Sequence, residues 1–279
     1  MARLNDDTFS RGFETVRVLL GHPKFTAELA TAIRKEGGAD RAVEALLQVF
    51  GLVNINPFKQ TVEEQLAALR EMNGFWKDSG HPHIGDIEAV CTRLAETALE
   101  WPEGRDAYRS FRIRFGKGRD GVIRTFEAHA DAVKHAHDKS WRWDLLLSGE
   151  HPYRGENVDR LRLLNGNGSL MPVVEWIIIP DLSAHRKRNS VTSVRRSRSL
   201  ADEGLVLAWL VPDRVRAIDY NEWCAWFCAG YEINVPEYDA GSWQCVPIVY
   251  RDTDSGKVHL DAYWHSYDVS HCSVPSARE

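Results

Sequence analysis

Glu175 stands inside the apolar run Val173-Val174-Glu175-Trp176-Ile177-Ile178-Ile179, and Asp181 follows directly after the closing Pro180. A β-branched run ended by proline predicts a buried or nearly buried strand. A carboxylate there has to be paired, hydrogen-bonded or protonated, because an isolated buried charge is too costly. Glu175 is therefore the residue best placed for chemistry. Brought to one sheet edge with Asp144, Glu150 and Asp181, it offers oxygen ligands to a hard divalent cation, Mg2+ or Mn2+. The predicted metal and catalytic set is Glu175, Asp181 and Asp144, and the chemistry of such a set is metal-assisted phosphodiester cleavage.

A second feature follows at once. Between His185 and Arg198 the chain carries Arg186, Lys187, Arg188, Arg195, Arg196 and Arg198, with Ser and Thr interleaved and no acid. The whole chain has a net charge of −5, which argues against a generally cationic nucleic-acid or membrane binder. Any polyanion contact is therefore local. This segment is predicted to be exposed and to meet the phosphates of DNA or RNA.

The acid pair resembles the arrangement in restriction-type nucleases, where an acid on one strand joins an acid and a lysine on the next. Here Ile177 occupies the lysine position, and the nearest following lysine is Lys187. His137, Lys139 and Asp144 have the HxKxxxxD spacing of phospholipase-D-like phosphodiesterases, in which a His nucleophile works beside a phosphate-gripping Lys. Ser140-Trp141-Arg142-Trp143 stands where an apolar strand is expected, and no second copy occurs. Gly116-Lys117-Gly118-Arg119-Asp120-Gly121 fits GxGxxG and offers a nucleotide-binding alternative, although Arg112 and Arg114 interrupt the strand before it. Arg124 and His129 lie about 140° apart on a helix, so they do not share a narrow face. His259-Leu260-Asp261, with His265, has the start of a facial metal triad, but no suitable ligand follows downstream. Cys224 and Cys228 would share a helix face, but no CxxC accompanies them.

These residues need elements to hold them. Residues 1–105 read as a helical region, with Thr61-Val62-Glu63-Glu64 a capping box for a helix to about Met72 and Asp86 capping another toward Leu99. From 106 to 279 the pattern becomes mixed. Phe111, Ile113 and Phe115 alternate with Arg112 and Arg114, predicting a half-exposed strand. A helix follows from Val122 to about His137. Val173–Ile179 and Leu205–Val211 read as central strands, and Tyr220–Cys228 as a helix. Val246–Arg251 and Lys257–Trp264 flank Asp252-Thr253-Asp254-Ser255-Gly256, which signals a hairpin. The expected fold is α+β: a helical N-terminal region, then a mixed, mainly antiparallel sheet with one or two packed helices. The five irregularly spaced cysteines fit a reduced, cytoplasmic protein, and no apolar stretch reaches membrane-spanning length. The functional expectation is a protein acting on nucleic acid or another phosphate polymer, in its sharpest form a metal-dependent phosphodiesterase or nuclease. Two alternatives stand beside it: a non-catalytic interaction module built on the Trp-rich C-terminal half, and a nucleotide-dependent enzyme using the 116–121 loop.

Overall fold

Thr61 opens the first helix among the described residues, α1 (Val62–Asp78), through the expected capping box: its side chain accepts from Glu64 N while Glu64 reaches back to the Thr61 amide. Asp86 caps α2 (Ile87–Glu96) by accepting from Ala89 N. In the computed structural model the described residues are 56–116, 118–142, 161–164, 172–186, 199–219, 222–234, 243–266 and 271–278. All belong to one compact unit, Ile55–Glu279; Met1–Asn54 form a second unit outside the described residues.

The elements after α2 are β1 (Tyr108–Arg114), α3 (Gly118–Ala136), β2 (Ser140–Arg142), β3 (Leu161–Leu163), β4 (Val173–Ile179), α4 (Asp202–Leu210), α5 (Pro212–Arg216), β5 (Ala225–Phe227), β6 (Tyr231–Asn234), β7 (Trp243–Arg251), β8 (Val258–Trp264) and β9 (Cys272–Ser273). The architecture is α+β, with mixed and mainly antiparallel pairing. Among the described residues, one sheet holds β1 and β4, antiparallel. The other has seven strands among the described residues, running β2-β8-β7-β5-β9 with β6 also on β7 and β3 on β6. The predicted β7–β8 hairpin is present, closed over Asp252–Lys257. No helix among the described residues is long and apolar enough to cross a membrane.

Three expectations need correction. Leu205–Val211 is not a strand: Leu205–Leu210 belong to α4, all nine of whose residues are buried. A helix enclosed on every side loses its polar face, so its sequence becomes a continuous apolar run, the same signal as a buried strand. Asp202 and Glu203 in its first turn and Pro212 just beyond its end are the signs of a helix. Tyr220–Cys228 is not a helix: β5 runs through it, with Trp226 and Phe227 paired to Val249 and Ile248. Cys224 and Cys228 flank that strand, and all five cysteines are buried and free of disulfides. Val173–Ile179 is a strand, but not an interior one. Beyond β1 its other strand-like partner among the described residues is Arg278 alone, through paired main-chain bonds to Ile178 of 3.0 and 2.7 Å.

Around α4 the core is aromatic. Trp76 of α1 meets Trp209 edge-on at 5.7 Å and donates to Ala128 O of α3 at 2.9 Å. Arg109 and Gln65 bond reciprocally and tie α1 to β1. Of the tryptophans in the C-terminal half, Trp176, Trp209, Trp223 and Trp226 are buried and Trp141 is exposed.

Candidate functional site

Antiparallel register sets Glu175 of β4 directly opposite Arg112 of β1. Their side chains pair at 3.0 Å, so the carboxylate of the apolar run is matched by a strand neighbour. Arg112 and Arg114, two apart on β1, share a face and reach the first turn of α4. Arg112 Nε lies 2.7 Å from Glu203, and Arg114 Nε lies 3.0 Å from Asp202. Arg114 also approaches Glu203 at 3.5 Å. A helix N-terminus favours carboxylates, and Glu203 additionally accepts the Ala201 amide at 2.9 Å. Burial pushes Asp202 up to about 7 against the pull of Arg114, with Glu203 adding repulsion. Burial raises Glu203 too, but Arg114 and Arg112 more than offset it and hold it below the ordinary range. Asp202 Oδ1 has no hydrogen-bond partner among the described residues. Two adjacent carboxylates whose proton affinities are driven apart have the electrostatics of an acid–base pair. They are nevertheless 1% and 3% exposed, so no substrate reaches them. The network docks the charged end of α4 onto the β1–β4 ribbon.

Asp181 is not brought to Glu175. The four residue steps from Glu175 to Ile179 are extended, which alone separates the strand positions by roughly 13 Å. Asp181 lies further on and caps its own turn, accepting Ser183 N at 2.8 Å; burial raises its carboxyl. Asp144 and Glu150 lie outside the described residues. No group of three or more His, Cys, Asp or Glu that could hold a metal ion occurs among the described residues.

Near Asp181 is a cluster that the sequence did not reveal. Arg214 of α5 is fully buried, with its guanidinium 4.9 Å from the Trp223 ring and 5.5 Å from the Trp226 ring. Its Nε donates to Asp106 at 3.1 Å and its Nη2 to Cys224 O at 3.3 Å. Ser183 Oγ donates to the same Asp106 carboxylate, and Cys224 Sγ lies 3.6 Å from Ser183 Oγ. This lattice fixes the turn that leaves β4, and the basic segment starts from that turn. His185 in the turn has a φ of 61°, unusual for a residue with a Cβ.

At the root of the segment Arg186 donates to Glu222 O at 3.2 Å. Arg105 lies 3.5 Å from the Glu222 carboxylate and 4.6 Å from the Trp223 ring centre. Lys187, Arg188, Arg195, Arg196 and Arg198 lie outside the described residues. Both ends of the segment are nevertheless visible. Val274 N bonds Ala184 O at 3.1 Å before it, and Leu200 N bonds Pro275 O at 3.1 Å after it, beside a Ser199–Ser276 bridge.

The remaining motifs take structural positions. Gly116 and Gly118 have φ of 76° and 60°, and a Cβ on Gly121 would lie 2.7 Å from Gly116 C. The Gly121 and Gly116 backbones approach closely, and β1 has an antiparallel neighbour, β4. His137 bonds Ala208 O at 3.0 Å in the interior. His129 is bonded to Ile113 O and faces Trp209 Nε1; burial pushes it down to about 4, a neutral core histidine. His259 and Asp261 both meet the Tyr250 hydroxyl, at 3.1 and 3.3 Å. No protein-family model matches the chain, and comparison with curated proteins and with solved structures gives no match either.

Proposed function

We propose that the protein binds a phosphate-bearing polymer, DNA or RNA, through the basic segment from His185 to Arg198. The observation that carries this reading is the anchoring of both ends of the segment to one short stretch, 274–276. Six arginines and lysines thus enter and leave at a single place on a chain of net charge −5, which concentrates positive potential there. The reading is of binding rather than cleavage, because Glu175 is held by Arg112 and Asp181 by the turn it caps. Neutralising Arg186, Lys187, Arg188, Arg195 and Arg196 together tests it. Affinity for a single- or double-stranded oligonucleotide should fall. The slope of log affinity against log salt should flatten by roughly 0.7–0.9 for each phosphate that the variant no longer neutralises. Unchanged affinity and slope would remove the proposal.

A further inference from the structure

A partly enclosed cleft of about 80 Å3 lies between the turn after α5 and the β5–β7–β8 part of the large sheet. At ~30 Å3 per water this is room for about two or three waters, or for one flat ring. Ala225 and Ile248 line its base, and Tyr250 of β7 and Tyr263 of β8 line its side, their ring centres 6.3 Å apart and their planes at 43°. Both tyrosines are half-buried, so each keeps some surface toward solvent. The Tyr250 hydroxyl already meets His259 and Asp261, so what this residue offers a ligand is its ring. Asp219, Arg251, Thr253 and His271 supply the polar lining. Asp219 and Arg251 carry opposite charges. Burial, with the charge of Arg186 behind it, holds His271 below its ordinary value and therefore neutral at pH 7. The lining thus has no net charge, which suits an uncharged ring with hydrogen-bonding edges.

The surroundings narrow the choice of ring. Ala184 O, at the root of the basic segment, accepts from Val274 N just beyond His271 and Cys272, and Arg186 donates to Glu222 O in the turn that holds Asp219. The cleft is therefore next to the segment proposed to meet phosphates. His259 and the exposed Trp141 stand in register with Tyr250 and continue its row across β8 and β2, with ring centres 4.8 and 4.9 Å apart. Aromatic side chains ranged across a sheet are a platform on which single-stranded bases stack, while basic side chains follow the backbone. In a duplex the bases are already paired and stacked, and entry would cost their extrusion.

We propose that the cleft takes one pyrimidine base of a single-stranded nucleic acid, stacked against Tyr250 and Tyr263, while the adjoining phosphates lie on the basic segment. This rests on the polyanion reading and narrows it to unpaired strands bearing single-ring bases. The test is fluorescence anisotropy of the full-length protein with labelled oligo-dT, oligo-dA of equal length, and the duplex of the two, at one salt concentration. Oligo-dT should bind several-fold tighter than either of the others. Tyr250→Leu should weaken oligo-dT binding by at least about fivefold, the lower end of what one stacked base contributes. It should leave the duplex unaffected and the salt slope unchanged, because no phosphate contact is lost. Tyr250→Phe, which keeps the ring, should bind oligo-dT as the parent does. If Tyr250→Leu loses the parent's circular dichroism, Tyr263→Leu and the parent's own ranking of the three ligands decide. Neutralising the basic segment should weaken all three. Equal affinity for the three ligands, undiminished oligo-dT binding in Tyr250→Leu, or an equal loss in Tyr250→Phe would each overturn this inference and leave the polyanion reading standing. Failure of the parent to bind any of them would overturn both.

Discussion

Glu203→Gln should be far more damaging than Glu175→Gln, although both remove one carboxylate from the same network. The Glu203 side chain is 4% exposed and touches both arginines of β1, at 2.7 and 3.5 Å. Removing its charge leaves Arg112 to Glu175, at the solvent edge, and Arg114 to Asp202, whose proton affinity is already high. Breaking a buried pair by deleting one partner costs about 3–5 kcal/mol. At about 2–4 °C per kcal/mol for a chain of this order of size, the melting point should drop by roughly 6–20 °C. Glu175 is 41% exposed, and Arg112 keeps Glu203 when Glu175 is lost. Solvent screening then limits the loss to about 0–1 kcal/mol. The assay is calorimetric melting of the parent and both variants at pH 8 and low salt. A Glu175→Gln loss as large as that of Glu203→Gln would refute the division of labour within the network, and with it the placement of Glu175 at its edge.

Other expected outcomes concern pH and the glycines. Asp202 is raised to about 7 when folded, above the ~3.9 of an unfolded aspartate. The native state therefore holds the extra proton between those values, and this contribution to stability is present at low pH and lost as pH rises through about 7. Urea unfolding across pH 5–8 should show that decline in the parent, whereas Asp202→Asn should flatten it; an equal decline in both would count against the assignment. Gly74 lies mid-helix in α1 with nothing within 4 Å of its missing Cβ, so Gly74→Ala should stabilise by about 0.5–1 kcal/mol in chemical denaturation. Gly121→Ala should do the opposite by about 1–3 kcal/mol, because its Cβ would strike the Gly116 backbone at 2.7 Å.

The helix caps at Thr61 and Asp86, the alternation of β1 and the β7–β8 hairpin were legible because each is encoded within a few residues. The site was not. The apolar run around Glu175 shows that this carboxylate needs a partner, but Arg112 lies 63 residues away and reaches it only through strand register. Arg112 and Glu203 are 91 apart, and Arg214 and Asp106 are 108 apart. No local pattern announces such pairs. The difference at Leu205–Val211 has another cause: complete burial erased the periodicity that distinguishes a helix from a strand.

The stretch from Cys272 to Arg278 works as a late fastener. It pairs with β5, bonds the turn at Ala184, bridges Ser199 and closes the open edge of β4 at Ile178. All four partners precede it in synthesis. At ~5–20 residues per second, roughly 5–20 s pass between the emergence of Ile178 and that of Arg278. Throughout that interval the main-chain groups of Ile178 lack this partner and are able to pair with another chain. The yield of folded protein is thus a race between the arrival of this stretch and an encounter with a neighbour's strand.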